Sequence, residues 1–324
     1  MSRNLLIIAI ALALGGNAPA VSAGGKESRL AQQLAATVHY GAIVHLKVDV
    51  PQATQPPVPK GTKGGKPGTD TAPAAAKPGT AAQQQVLALY AENEAPRRIG
   101  GAILVHDVGG HPDWPGVIAT LRRRLPPGGW STLSVQMPLP DRSRPAKAML
   151  ADAEARIGAA VANLQGRGIK HIALIGHGAG AVMAAAYLAQ TPDSPAEALV
   201  AISMGTYLPL GKDVTAAKLL ERIRVPFFDI YGGNDLDVVL HSAHARAVLA
   251  HKGRPAEAAE AAELSPSRQV CIRAAGHDFA GLESTLANWV RGWLTQRAKA
   301  PAPRPAPAAT SEQASAVPPT AQKQ

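Results

Sequence analysis

Apolar residues along this chain follow two periodicities, one typical of strands and one typical of helices. Residues 41–50 alternate polar and apolar positions, as a half-buried strand does, and residues 86–91 form a second apolar run. Between them, residues 51–82 are rich in Pro, Gly, Lys, Thr and Ala and show no periodicity. We therefore expect an antiparallel hairpin whose turn is enlarged by a disordered insertion, because loop-closure entropy rises only slowly with length.

From residue 99 onward, short apolar runs alternate with stretches of helical periodicity. The predicted strands cover residues 102–106, 130–137, 172–175, 198–203, 226–231 and 269–274. The predicted helices cover residues 114–125, 147–164, 216–223 and 238–251, an Ala-rich run after residue 178, and a closing helix that carries Leu282, Leu286, Trp289, Val290 and Trp293. Repeated strand–helix units behind an antiparallel start predict an α/β fold, with a mostly parallel central sheet and helices on both faces.

The N-terminus predicts export from the cytoplasm. Arg3 precedes an apolar run at residues 5–14, and residues 21–23, Val-Ser-Ala, form a small-x-small cleavage site. We assign residues 1–23 to a secretory signal peptide, with an uncleaved anchor as the alternative. Cys271 is the single cysteine and lies in an apolar run, which predicts a buried structural thiol. An exported protein without an intrachain disulfide fits a periplasmic location.

Most of the net charge of +10 lies outside the folded part of the predicted domain, which spans residues 24–297 and includes the insertion. Nine basic and two acidic residues in the signal peptide, the insertion and the segment from Arg297 onward account for +7 of it. The tail, residues 298–324, is rich in Ala and Pro and is predicted to be disordered. The folded part therefore has an ordinary charge balance, and we expect no nucleic-acid partner. The insertion and tail are expected to make only weak contact with anionic envelope surfaces.

Residues suited to chemistry follow several predicted strands at their carboxyl ends, where functional groups gather in parallel sheets. His106 and a glycine-rich loop with His111 follow the first strand of the parallel part. Residues 176–180, Gly-His-Gly-Ala-Gly, follow the strand at 172–175 and precede a helix. Asp235 and His277 follow the last two strands. A strand, a glycine-pinched turn and a helix form the pattern of a nucleophile elbow, G-x-S-x-G.

Nucleophile position, acid and histidine occur here in the chain order of an α/β-hydrolase triad. On these residues, the chain from about residue 41 to residue 296 resembles the α/β-hydrolase superfamily. More narrowly, it resembles an uncharacterised family of exported proteobacterial hydrolase-like proteins. That narrower resemblance rests on residues 111–115 (His-Pro-Asp-Trp-Pro), residues 129–138 and residues 176–181. It implies no established activity.

The resemblance implies a role for each matched residue. Asp235 matches the acid that orients the histidine, and His277 matches the general base. Val108 and Ala179 match the residues whose N–H groups face an oxyanion. The histidines of the loop and the elbow, His106, His111 and His177, are expected to line the cleft.

Gly178 stands where the elbow carries its serine. Without a hydroxyl there is no covalent acyl intermediate, and His277 has no nucleophile proton to accept. Asp107 also departs from the glycine that usually follows the loop histidine, and a carboxylate there would oppose a developing oxyanion. Ser134 and Ser203 do not lie on an elbow, so we do not expect either of them to replace the serine.

The sequence therefore favours an exported α/β-hydrolase-like protein that is non-catalytic or weakly catalytic. It would bind a small molecule, a lipid or a protein in the former active-site cleft. Two alternatives stay open. One is an ester or amide hydrolase with a non-standard nucleophile or a metal-bound water, although no histidine pair has the spacing of a zinc-protease helix. The other is a structural envelope protein that acts through its basic flexible segments. We expect no cofactor and no resident metal.

Overall fold

The computed structural model describes residues 25–50, 82–141, 145–206, 215–251 and 267–299. The predicted signal peptide, and nearly all of the predicted insertion and tail, lie outside these residues. Contacts divide the chain into residues 1–39 and residues 40–324. The first unit contributes one described helix, α1 (Lys26–Thr37). Among the described helices of either unit, none combines the length and the apolar character that crossing a membrane requires.

An eight-stranded sheet forms the centre of the second unit. Its strands are β1 (Ala42–Val50), β2 (Ala82–Ala91), β3 (Gly100–Val105), β4 (Trp130–Val135), β5 (Ile172–His177), β6 (Ala196–Ile202), β7 (Phe227–Asn234) and β8 (Ser267–Gly276). The helices are α2 (Val117–Arg124), α3 (Ala146–Gly166), α4 (Ala179–Gln190), α5 (Ala216–Leu220), α6 (Asp237–His251) and α7 (Glu283–Lys299).

The strand order is β1-β2-β4-β3-β5-β6-β7-β8. Strand β2 runs antiparallel to its neighbours β1 and β4, and every other neighbouring pair is parallel. The predicted α/β-hydrolase fold, with its antiparallel N-terminal hairpin, is confirmed by this topology.

Strand β3 has no polar side chain and is buried throughout, because both faces of the sheet are covered there. In β3, Ile103 and Val105 pack into the core beneath α3 and α4. The alternate residues, Ala102 and Leu104, pack into the core beneath α2 and α7. A buried parallel strand therefore has a continuous apolar run, whereas a half-exposed strand alternates.

Three expectations from the sequence need correction. The pattern places Ala82 in the disordered insertion, but Ala82 pairs with Val50 and begins β2, because the hairpin ladder continues through the glutamines that follow it. The tail is predicted to begin at residue 298, but α7 continues to Lys299. Cys271 is exposed rather than buried, since it lies on the edge strand β8.

At the elbow, the backbones of β5, the turn at Gly178 and α4 lie in close contact. Gly178 separates β5 from α4 and has φ +57° and ψ −123°, a conformation that glycine adopts most readily. A Cβ on Gly176 would lie 2.3 Å from the Cα of Ala181, and a Cβ on Gly180 would lie 2.2 Å from the carbonyl oxygen of Val105. Neither position has room for a side chain.

Substituting either glycine should therefore destabilise the fold. We expect Gly176→Ala and Gly180→Ala each to lower the free energy of unfolding by about 1–3 kcal/mol, because the added methyl group meets backbone atoms that cannot yield. Gly166→Ala is the control: it lies at the end of α3, and a Cβ there meets nothing within 4 Å. It should be neutral or stabilising by up to about 1 kcal/mol. Urea unfolding of the three variants measures the difference, and equal midpoints would contradict the packing described.

Candidate functional site

The carboxyl ends of the parallel strands bring the predicted acid and histidine together. Asp235 follows β7 and His277 follows β8. The Nδ1–H of His277 donates to Oδ1 of Asp235 over 2.7 Å. These two residues were predicted from the order of strands alone, and the structure places them in direct contact.

Asp235 is surrounded by donors. Its Oδ2 accepts the Ser203 hydroxyl at 2.5 Å and the Gly232 N–H at 3.2 Å, and its Oδ1 accepts the Leu236 N–H at 2.8 Å. Burial alone would raise the pKa of Asp235, but the hydrogen bonds from His277 and Ser203 and from the backbone outweigh it and hold that pKa below its usual value of 3.8. Asp235 is therefore a fixed anion.

Ser203 is a site residue that the sequence analysis did not assign. It follows β6, is fully buried and has φ +51°, an unusual backbone conformation for a residue other than glycine. Its hydroxyl also lies 3.2 Å from the carbonyl oxygen of His277. Ser203 therefore orients the acid and its histidine, and its hydroxyl is not free to act as a nucleophile. Its place after a strand of the parallel sheet was the available indication.

The side chain of Asp107 lies where the side chain of an elbow nucleophile would lie. A Cβ built on Gly178 would be 2.3 Å from Cγ of Asp107, 2.4 Å from its Oδ2 and 2.5 Å from its Oδ1. Because Gly178 has no side chain, it leaves this space free for the carboxylate. Residue 178 is glycine, and a carboxylate from the loop after β3 fills the point in space where a nucleophile side chain would lie.

The same carboxylate occupies the predicted oxyanion hole. Oδ1 of Asp107 accepts the N–H groups of Val108 and Ala179, each at 2.7 Å. Two N–H groups that converge on one oxygen are the geometry of an oxyanion hole. A carboxylate here was expected to oppose an oxyanion; in the structure it takes the oxyanion's place.

His277 lies between two carboxylates. Its Nε2–H donates to Oδ2 of Asp107 at 3.3 Å, opposite the bond to Asp235. Burial alone would lower the pKa of His277, but the hydrogen bonds and negative charges of Asp107 and Asp235 outweigh it and raise that pKa to about 10. Burial likewise opposes ionisation of Asp107, yet His277 and the two N–H groups hold its pKa below 3.8. At neutral pH the three groups are carboxylate, imidazolium and carboxylate.

Two of the predicted cleft histidines, His106 and His177, are each 1% exposed and make hydrogen bonds that hold the surrounding backbone. Nδ1–H of His106 donates to the carbonyl oxygen of Asp107 at 2.7 Å, and its Nε2 accepts the Met137 N–H at 3.0 Å. Burial lowers the pKa of His106 to about 4, so the ring is neutral, as these two bonds require. His106 thereby fixes the backbone from which the Asp107 side chain extends.

His177 and His111 have different surroundings. Nε2–H of His177 donates to the carbonyl oxygen of His277 at 3.1 Å. Burial, followed by the charge of His277, lowers the pKa of His177. His111 is half-buried, accepts the Asp113 N–H at 3.2 Å and meets the edge of the Trp114 ring at 5.2 Å between centroids. It stabilises the loop and does not contact the carboxylates.

Arg122 anchors the loop that carries Asp107. Its side chain is fully buried and donates to the carboxylate of Asp113 and, at 2.7 Å, to the carbonyl oxygen of Tyr40. The sequence shows Arg122 only as the first of three consecutive arginines. Its spacing of four residues from the buried Ile118 is the feature that indicates its burial.

No metal site was found in the part of the chain that the structure describes: it contains no group of three or more His, Cys, Asp and Glu side chains arranged to hold an ion. A cavity of about 570 Å³ lies at the opposite, amino edge of the sheet, where Arg98, Lys170 and His171 are among its lining residues. It includes none of the predicted site residues.

The fold and the triad-like arrangement define an α/β-hydrolase-like protein. The structure is similar to Est1E from Butyrivibrio proteoclasticus, at 14% identity, with 66% of this chain and 94% of that chain covered and a TM-score of 0.53. It is also similar to a dienelactone hydrolase from Anabaena variabilis, at 15% identity, 80% and 99% coverage and a TM-score of 0.54. An esterase from Pyrococcus furiosus matches at 14% identity, 65% and 86% coverage and a TM-score of 0.53. At such identities the likeness shows the fold alone.

Within that class, the family described as "Protein of unknown function (DUF3530)" matches residues 4–156 and 143–296. The chain belongs to this family. A search of the curated proteins found no match.

The charge on His277 leads to a prediction about stability. Its pKa is about 10 in the folded protein against an ordinary 6.5, so its stabilising contribution is complete below pH 6.5 and is lost as the pH rises toward about 10. The contributions of Asp107 and Asp235, whose pKa values are lowered, are complete above pH 3.8 and are lost on acidification. We expect the unfolding free energy of the wild type to fall between about pH 6 and about pH 10, and His277→Gln to remove most of that fall.

Urea unfolding at several pH values measures this dependence. His241→Gln, on the exposed surface of α6, is the matched control and should keep the wild-type pH profile. A wild-type profile that is flat over this range would show that His277 is not the cation described.

Proposed function

We propose that this chain is an exported α/β-hydrolase-like protein that does not hydrolyse esters or amides by the route of a serine hydrolase, and that acts by binding a small molecule, a lipid or a protein. The observation that carries the proposal is the Asp107 carboxylate, which fills both the nucleophile position and the oxyanion hole.

The oxyanion hole is already occupied by the Asp107 carboxylate. A substrate carbonyl could receive the Val108 and Ala179 N–H groups only by displacing a full negative charge that already holds both. Charge-assisted hydrogen bonds of this kind are about twice as strong as neutral ones. A neutral carbonyl oxygen therefore competes poorly for the two N–H groups. Stabilisation of the oxyanion, which usually contributes most to acyl-transfer catalysis, is missing.

The protonated His277 is unsuited to act as a general base. A histidine whose pKa is about 10 carries its proton at neutral pH and cannot accept another from a nucleophile or a water. Gly178 offers no hydroxyl in any case. Nucleophile, base and oxyanion hole are thus all unsuited to acyl transfer, and each for a separate physical reason.

Binding at the carboxyl edge has support from exposed apolar residues in the same loops. Trp114 is 37% exposed and belongs to the loop of Asp107, and Leu236, which follows Asp235 directly, is 53% exposed. Large apolar side chains exposed beside a charged cluster are typical of an interaction surface. The pattern of the first 23 residues supports export and a periplasmic location.

Restoring the serine should require two changes. We expect Gly178→Ser alone to lower the stability and to show no esterase activity, because the new Cβ meets the Asp107 carboxylate at 2.3–2.5 Å and φ +57° strains a non-glycine residue. Combining it with Asp107→Gly frees the space and the hole. The double variant should hydrolyse short acyl p-nitrophenyl esters and react with a serine-directed phosphonate.

Asp107→Gly alone is the control: it empties the hole without supplying a nucleophile, so phosphonate labelling should be absent. The wild type should be inert in both assays. Either of two results would refute the proposed function. One is ester hydrolysis by the wild type that is abolished in His277→Gln, and the other is phosphonate labelling of the wild type.

A further inference from the structure

We propose that the cavity at the amino edge of the sheet is a binding site for a small phosphorylated sugar or polyol. Its volume of about 570 Å³ lies within the range of about 300–1,000 Å³ that small-molecule sites occupy. It lies beside Gly100, the first residue of β3, and beside the residues that precede β5. This site is separate from the one proposed above, which lies at the carboxyl edge.

Arg98 presents a fixed guanidinium group in the wall of this cavity. Its Nε–H donates to Oδ1 of Asn93 at 3.2 Å, Nη1 donates to the carbonyl oxygen of Arg167 at 3.1 Å, and Nη2 donates to Oε1 of Glu92 at 3.0 Å. A guanidinium group has five N–H donors, so one N–H on each terminal nitrogen has no described acceptor. Two donors on one planar group suit two oxygens of a phosphate. Because the side chain is already ordered, it loses little conformational entropy when an anion binds.

Lys170 adds a cation for which the described residues supply no partner. Among the described residues that line the cavity, one carboxylate, that of Glu92, opposes Arg98 and Lys170, and it already accepts a hydrogen bond from Arg98. Arg167, whose guanidinium lies 4.0 Å from the centre of the Tyr90 ring, adds further positive charge nearby. A dianion neutralises more of this surplus than a monoanion does. A phosphate monoester carries a charge of about −1.5 to −2 at pH 7, whereas a carboxylate carries a single charge.

Both walls of the cavity are attached to the sheet. On one side, the Asn93 N–H donates to Oγ of Ser131 in β4 at 3.1 Å. On the other side, the N–H of Gly101 in β3 donates to the carbonyl oxygen of His171 at 2.8 Å. The ring of His171 is held in turn by Glu197, at 2.9 Å between Nδ1 and Oε2. The cavity is therefore preformed, and a ligand can bind without first ordering a loop.

Polar groups beside the two cations select the rest of the ligand. The Glu92 side chain is 64% exposed and contacts Arg98 through Oε1, so its Oε2 is able to accept a hydroxyl group. The Asn93 side-chain amide donates one N–H to a backbone carbonyl oxygen at 2.8 Å and has a second N–H for a hydroxyl oxygen. A wall of this kind suits a phosphorylated sugar or polyol and offers little surface to the acyl chains of a phospholipid. The apolar side chains in it are those of Pro96, Ile99 and Ile169.

Isothermal titration calorimetry of the purified full-length chain with glucose-6-phosphate tests this site. We expect saturable binding at low ionic strength. Inorganic phosphate, which lacks the hydroxyl groups of the sugar, and glucose, which lacks the charge, should each bind at least about tenfold more weakly. Lys170→Gln should weaken the binding of glucose-6-phosphate by about tenfold, because it removes a hydrogen bond that a charged group donates.

Lys147→Gln is the matched control and should leave the affinity unchanged. Lys147 is exposed near the start of α3, whereas the cavity lies beyond the other end of that helix.

Vesicles of phosphatidic acid supply the same phosphate monoester from a lipid. Binding of these vesicles without binding of glucose-6-phosphate would overturn the assignment to a sugar or polyol. The proposal would also be wrong if glucose-6-phosphate did not bind, if glucose or inorganic phosphate bound equally well, or if Lys170→Gln kept the wild-type affinity. None of these results affects the ester and phosphonate assays, so this site and the function proposed above can fail separately.

Discussion

A single imidazolium between two carboxylates is the interaction on which the carboxyl edge of this protein depends. His277 bridges Asp107 and Asp235, and through them it joins the loops after β3, β7 and β8. Each partner makes the others' charges favourable in a site where burial alone would neutralise them. The cluster is therefore cooperative: no member can be neutralised without changing the charge state that the other two prefer.

Hydrogen-bonded groups around the cluster determine its geometry. His106 is kept uncharged by burial and fixes the backbone of Asp107, while Arg122 holds the far end of the same loop through Asp113. On the other side, Ser203 orients the acid. The cluster thus has charged groups at its centre and hydrogen-bonded, largely buried groups around it. This arrangement gives a small charged site a fixed shape.

The fold and part of the site could be predicted from the sequence, because both follow from the order of strands. Asp235 and His277 each follow a strand of a parallel sheet, and such positions meet at one edge. The direction of the Asp107 side chain could not be predicted, since it depends on loop dihedral angles and on the backbone contact with His106. The periodicity of apolar residues gives no information on either of these. The burial of Arg122 was indicated by its spacing from Ile118, but the run of three arginines favoured an exposed helix end.

The contact between Gly178 and Asp107 has a consequence for how sequences of this kind can change. A side chain at 178 and a carboxylate at 107 exclude one another in space, although 71 positions separate them in the chain. A sequence that carries this pair cannot gain a well-packed elbow serine by one substitution, because Gly178→Ser alone places two groups in one volume. Positions 107 and 178 are therefore coupled, and a side chain at one of them requires a change at the other.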